Sequence, residues 1–365
     1  MEKNNLKLIV FDSAKDLGKK IDEHLLEMYN LSGDETFIVP IKQNYFEDGH
    51  FKVEIDESVR GQDVFMLTDI GNYSLEYTMH GFINHTSPND LMTQLKDGIG
   101  ACNCHVQNIN IVMPLLYAGR QHRRNTRENL SCGMMLHELD TMSRVKSFIT
   151  FDAHDPNVIN ATPSLSFDNF YPSNAIIEEM AKNDPTIFEN SIVISPDFGA
   201  MERARFYAEI IGCDVGVFYK RRDLSKVVNG KNPIVAHTYM GSDVEGKNVL
   251  IVDDMIASGG SVIDLTKKLR EMKANKISVA VTFALFTEGF EMFQKAHDEG
   301  SLDYIYTTNV SYIPKEITDL DWVYAVDMSK LTAKVIDSMD KKEPLTKYFN
   351  RAKETFNAVQ KSINN

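Results

Sequence analysis

The chain has 365 residues, enough for two domains of ordinary size or one large one. Its 43% hydrophobic and 25% charged residues suit a globular protein with filled cores, and a net charge of -13 argues against general nucleic-acid or anionic-membrane binding. No run reaches the roughly 20 apolar residues of a membrane span, and "MEKNNLKLIVFDSAKDLGKK" holds no signal-peptide core, so a cytoplasmic protein is expected.

In chain order, "LKLIVF" (6–11) reads as a strand, and the following residues as an amphipathic helix with Leu17, Ile21, Leu25 and Met28 on one stripe. "DVFMLTDI" (63–70), "INIVMPLL" (109–116) and "SFITFDAH" (147–154) are further strands, with a helix over "SCGMMLHELDTM" between the last two. Next come a helix "NAIIEEMAK", a strand "SIVISPD" (191–197) and a helix "MERARFYAEIIG" closed by Gly212. "VGVFYK" (215–220) and "NVLIVDD" (248–254) are strands, followed by the helix "SVIDLTKKLREM" and the strand "ISVAVTFALF" (277–286). Such alternation implies parallel sheets flanked by helices, here an α/β chain of two halves meeting near "FDNFYPSN" (167–174). Cys102, Cys104 and His105 in "ACNCHVQ" lack a second ligand pair at finger-like spacing, so they are expected to be reduced thiols near a helix end.

In parallel sheets, ligands bind beyond the carboxyl ends of the strands. Those ends read "FDAHD" (151–155), "SPDFG" (195–199), "YKRRD" (219–223) and "VDDMIASGG" (252–260). Acids, a histidine and a basic triplet together suggest a phosphate-and-metal site. Asp253 and Asp254 are neighbours on one strand, so their side chains leave on opposite sides. Carboxylates accept hydrogen bonds from sugar hydroxyls or hold Mg2+ through water. Ser258-Gly259-Gly260-Ser261 opens the next helix, where backbone N–H groups face an anion. The pattern fits a phosphorylated sugar. The competing reading is a plain cap in which Ser261 and Asp264 pair and nothing binds. A receiver domain also carries "VDD" after a strand, but after its first strand and without a Gly-Gly-Ser helix start.

With "FEDGHFKVEIDESVRGQDVF" (46–65), "PLLYAGRQHRR" (114–124), "FDAH", "DNFYP", "SPDFGAMERAR", "YKRR" and "DVEGKNVLIVDDMIASGGSV" in order, the chain resembles the ribose-phosphate pyrophosphokinases, from about residue 6 to 349. The resemblance implies two phosphoribosyltransferase-type domains, each a mostly parallel sheet flanked by helices. An ATP-side domain would span 1–170, a ribose-phosphate domain 171–326 and a helical segment 327–365. It implies transfer of the diphosphoryl group of Mg-ATP to the C1 hydroxyl of ribose 5-phosphate, with AMP leaving. It also implies a homo-oligomer built from dimers, with a hexamer among its forms. Asp253 and Asp254 would meet the ribose hydroxyls, and Ser258, Gly259, Gly260 and Ser261 the 5-phosphate. His154 and Asp197 would be the metal positions, and Lys220 and Arg222 would steady the phosphoryl group. Arg120, Gln121 and Arg123 would contact ATP, with Phe46, Asp48, Gly49 and His50 forming an adenine turn supplied by a neighbouring subunit.

Departures from the family's pattern fall on ligand-facing loops. Ala257 stands where an acid is usual, His50 where Glu is usual, and His122 where Asp is usual after an inserted Gly119. Segment 72–92 is longer than the family's loop. These leave two other readings in play. One is a catalytically impaired regulatory paralogue that binds nucleotide and co-assembles with an active synthetase. The other is a simple phosphoribosyltransferase, which would explain residues 248–262 but not 114–124 or His154.

Overall fold

The structure is a computed structural model that describes residues 5–102, 104–222, 234–349 and 352–363. The chain forms two compact units, Met1–Tyr171 with Asn309–Ile313 and Asp327–Phe349, and Pro172–Thr308 with Pro314–Val326 and Asn350–Asn365.

In the first unit the elements run β1 (Leu6–Val10), α1 (Lys15–Tyr29), β2 (Ile41–Tyr45), β3 (Phe51–Ile55), β4 (Asp63–Leu67), β5 (Glu76–Met79), β6 (Phe82–His85), α2 (Pro88–Cys102), β7 (Asn108–Val112), α3 (Ser131–Thr141), β8 (Val145–Phe151) and β9 (Ser166–Phe170). Strands β1-β4-β7-β8-β9 form one parallel sheet in that order. The central strands are buried on both faces, so they read as nearly continuous apolar runs. Leu17, Ile21 and Leu25 of α1 are buried, while Met28 is half-buried near the helix end. Asn30 stops that helix in the left-handed conformation.

Two small hairpins stand apart from this sheet, β2–β3 and β5–β6. The second occupies residues 76–85, in the middle of the long 72–92 segment. Its two-residue turn, His80-Gly81, has φ of 51° and 78°, which matches the twist of a tight hairpin.

In the second unit the order is α4 (Ser173–Asn183), β10 (Ser191–Ser195), α5 (Met201–Ile211), β11 (Asp214–Arg222), β12 (Ile234–Met240), β13 (Asn248–Ile256), α6 (Gly260–Glu271), β14 (Ile277–Ala284), α7 (Glu291–Asp298), β15 (Tyr304–Thr308), α8 (Lys315–Thr318) and β16 (Val323–Val326). The sheet order is β12-β11-β10-β13-β14-β15-β16, parallel except for the β11–β12 pair at one edge. From β10 the chain builds outward through β11 to β12, then returns beside β10 as β13 and builds the other way. That reversal between β10 and β13 is a topological switch point, where doubly wound sheets open a ligand crevice. Strand β13 runs two residues past Asp254, farther than the expected end of the strand.

The C-terminal helices are α9 (Ser329–Asp340), α10 (Thr346–Phe349) and α11 (Ala352–Ile363). Helix α9 packs on α1 in the first unit, whereas α11 packs on α4 and α5 in the second, with Thr355 Oγ1 donating to Asn174 Oδ1 at 2.9 Å. No helix among the described residues is long and apolar enough to cross a membrane.

Candidate active site

Asp197, Asp253, Asp254 and the 258–261 loop, all expected from the sequence, fall at the switch point of the second sheet. Asp197 follows β10 directly, and its carboxylate accepts from the Gly199 amide at 2.8 Å while Ser195 Oγ donates to its carbonyl at 2.6 Å. The loop is therefore folded back on itself with the carboxylate at its rim. One strand over, the pleat separates Asp253 and Asp254. Asp254 is 2% exposed, and Asp253 is only partly covered. The Asp254 amide donates to Asp253 Oδ1 at 2.9 Å. Burial, and next the Asp254 charge, push the Asp253 carboxyl well above the usual carboxylate range, and Asp197 adds to the rise.

Immediately beyond, Gly259 adopts φ of 88°, and a Cβ there would overlap the Phe293 ring. Only glycine fits. It is also the N-cap of α6, and no side chain caps that first turn. The Ser261–Asp264 capping pair is thus not formed. A helix start without a side-chain acceptor leaves its N–H groups to an external anion. Gly260 has open space where a side chain would be. Ala257 offers only its carbonyl, which accepts from the Thr287 amide at 3.0 Å.

In the first unit, Arg120, Gln121 and Arg123 lie on the loop after β7, and His154 on the loop after its neighbour β8. Pro114 O ties the loop after β7 to the end of β8, accepting from the Phe151 amide and Thr150 Oγ1 at 3.0 and 2.9 Å. Arg120 and Arg123 are exposed, and the Gln121 amide donates back to Ala118 O at 2.7 Å. Ala118, with φ of 51°, holds a left-handed backbone that favours glycine, local strain of the sort found at binding loops. Among the described residues, Cys102, Cys104 and His105 form no metal cluster, and burial pushes the Cys102 thiol up to about 12.

Phe46, Asp48, Gly49 and His50 make the β2–β3 turn. The His50 carbonyl accepts from the Phe46 amide at 2.7 Å, and Phe46 stands 53% exposed. His50 Nδ1 lies 3.0 Å from Asp48 Oδ2, and hydrogen bonds from His50 hold Asp48 below the usual carboxylate range. Two supports of these loops were not foreseen from sequence. Tyr77 of β5 stacks on Tyr45 at 3.9 Å and 9°, bracing the turn. Helix α2 links the β2–β3 turn and the loop after β7, since Gln94 Nε2 donates to Tyr45 Oη at 2.7 Å and Tyr117 Oη donates to Asn89 Oδ1 at 2.5 Å. Alternation of apolar and polar residues in 76–85 was the available signal for the hairpin. The side chains of Lys220 and Arg222 lie outside the described residues, although their backbone continues β11.

A doubly wound sheet with an acid pair and an uncapped glycine helix start at its switch point defines a phosphoribosyltransferase-type protein. Residues 168–323 match the phosphoribosyl transferase domain, and residues 6–142 match the N-terminal domain of ribose phosphate pyrophosphokinase. Ribose-phosphate pyrophosphokinase from Mycoplasma pneumoniae is 30% identical over 277 residues, covering 74% of this chain and 75% of the relative. The Vibrio cholerae protein of that name is 27% identical over 350 residues, covering 95% and 99%. The crystal structure of phosphoribosylpyrophosphate synthetase from Mycobacterium smegmatis matches in fold with a TM-score of 0.76 at 20% identity, covering 93% of this chain and all of that one. The chain belongs to the ribose-phosphate pyrophosphokinase family.

Proposed function

We propose that this chain transfers the diphosphoryl group of Mg-ATP to the C1 hydroxyl of ribose 5-phosphate, releasing AMP. Family membership supports the reaction, and the geometry at the β10–β13 switch point supports the sugar half of it. The observation that carries this reading is the junction of Asp253, Asp254 and the uncapped start of α6. The Asp253 carboxyl on the crevice side can accept from a ribose hydroxyl, with the buried Asp254 behind it, while helix N–H groups take the 5-phosphate. The reading as an impaired paralogue is not favoured, because the curated relatives carry the enzyme's name.

The donor set fits Mg2+. Asp197 supplies a hard oxygen donor at the crevice, and a metal of this kind keeps several waters and leans on one or two carboxylates plus phosphates. Asp197 and His154 are the proposed metal positions. When bound, the ion neutralises triphosphate charge.

The protein's own work is positioning and charge stabilisation, as phosphoryl transfer requires. Asp253 and Asp254 orient the ribose so that its C1 hydroxyl faces the β-phosphorus. The start of α6 fixes the other end of the sugar. Lys220 and Arg222 stabilise charge on the group in transit. Arg120, Gln121 and Arg123 hold ATP, and the Phe46–His50 turn serves adenine in a homo-oligomer. Phosphorus NMR of a reaction with Mg-ATP and ribose 5-phosphate tests this reading, since phosphoribosyl pyrophosphate and AMP must appear together.

A further inference from the structure

His122 sits among the ATP-side residues, yet it points away from solvent. Its side chain is 11% exposed, and both ring nitrogens are engaged. Nδ1 lies 3.1 Å from Gly119 O, an atom that can only accept, so Nδ1 carries a hydrogen there. Nε2 lies 3.3 Å from Asp155 Oδ2, another atom that only accepts, so the contact is an ion pair when Nε2 carries a proton as well. The ring stands beside His154, with centroids 5.5 Å apart and planes tilted by 56°. The two loops press together here in a second way, since a Cβ on Gly119 would lie 3.9 Å from His154 Cβ.

Asp155 is well suited to anchor such a contact. Its Oδ1 accepts from the Asn157 amide and from Asn157 Nδ2, both at 2.9 Å, capping the short 3-10 turn Pro156–Ala161. That fixes the carboxylate and leaves Oδ2 to face His122. The two loops follow neighbouring strands β7 and β8 but are separated by about thirty residues of chain, so no local turn sets their spacing.

We propose that His122 and Asp155 form a clasp that sets the spacing between the Arg120–Arg123 loop and the His154 loop, making His122 a positioning residue for Mg-ATP. This rests on the proposed function, which assigns ATP to one loop and the metal to the other. The clasp acts on the nucleotide side alone, because ribose 5-phosphate is assigned to loops of the second sheet. Near-attack geometry is sensitive to displacements on the order of 1 Å, so loosening either loop weakens Mg-ATP and leaves the sugar unaffected.

Titration calorimetry of the full chain tests this with Mg-ATP and, separately, ribose 5-phosphate. His122→Ala and Asp155→Asn are each expected to weaken Mg-ATP about tenfold, and the double variant no more than the worse single one. Asp155→Asn keeps the oxygen that caps the 3-10 turn, so folding is preserved if His122→Ala is unstable. His122→Gln, which can still reach Asp155 with a donor, is expected to bind Mg-ATP within about threefold of the parent. Ribose 5-phosphate affinity stays unchanged throughout. Unchanged Mg-ATP affinity in both single variants, additive losses in the double variant, or equal loss of both ligands would overturn the clasp. If the parent forms no AMP while Mg-ATP binding still follows the predicted pattern, the reaction is wrong and the clasp stands.

Discussion

The backbone amide of Asp254 donates to the Asp253 carboxylate at 2.9 Å, so the two acids at the switch point are coupled through the chain as well as by charge. Asp254 faces the interior and Asp253 faces the crevice. Asp253→Ala is therefore expected to raise KM for ribose 5-phosphate by about 10- to 100-fold, the effect of losing a substrate hydrogen bond of roughly 1–3 kcal/mol. Mg-ATP affinity in calorimetry should stay within error. Equal loss of both would mean that the pair is structural.

Gly259→Ala probes the proposed phosphate role of the 258–261 loop. The substitution meets a left-handed backbone and the Phe293 ring together, so the start of α6 must move. A loss of roughly 1–3 kcal/mol in unfolding free energy is expected, with a rise in KM for ribose 5-phosphate. Gly260→Ala, with open space around it, is the contrast: little change in stability, and a higher KM where the added methyl faces the phosphate.

The strands and helices that hold these groups were legible because two-sided burial writes itself as apolar runs such as "NVLIV", and α6 shows its stripe at helical spacing. The switch point itself was not. Strand order is not encoded in periodicity, so nothing local showed that β13 returns beside β10. The β5–β6 hairpin was missed because its strands have only four residues each and Phe82 and Ile83 at its tip are exposed, which blurs the alternation. Residues 309–313 fall in the first unit because the buried Asp69 accepts from the Ser311 hydroxyl at 2.9 Å and the Tyr312 amide at 2.8 Å, a contact spanning over 240 positions.

Asp69 also gives stability a pH dependence. Burial pushes its carboxyl up to about 6 from 3.8, against hydrogen bonds from Tyr312, Ser311 and Gly71. The folded chain thus binds this proton more tightly than the unfolded chain. Its contribution is greatest below pH 4, falls as pH rises towards 6, and is level above, a loss on the order of 3 kcal/mol. Asp69→Asn removes that slope, although its amide would face the Tyr312 N–H and lower stability overall. The difference between parent and variant unfolding free energies across pH 4–7 reads it. Asp340, also pushed up to about 6, is present in both and cancels.

At the β2–β3 turn, His50→Ala removes the imidazole hydrogen bond, the largest influence lowering Asp48, while the residue-50 amide can still donate to Asp48 Oδ1, as it does at 3.1 Å in the parent. The Asp48 carboxyl should return towards the ordinary carboxylate range, measured by carbon NMR of the labelled side chain. An unchanged titration would show that the pair seen in the turn does not persist in solution.

The central claim is the reaction, and Lys220 is the residue on which it is most exposed. Purified chain is mixed with Mg-ATP and ribose 5-phosphate over a range of phosphate concentrations, and AMP is counted against phosphoribosyl pyrophosphate. Equal amounts of the two are expected, absent without the sugar. Lys220→Ala should slow turnover on the order of 10²- to 10³-fold without lowering the melting temperature. No sugar-dependent AMP above the Lys220→Ala level, at any phosphate concentration, would contradict the account.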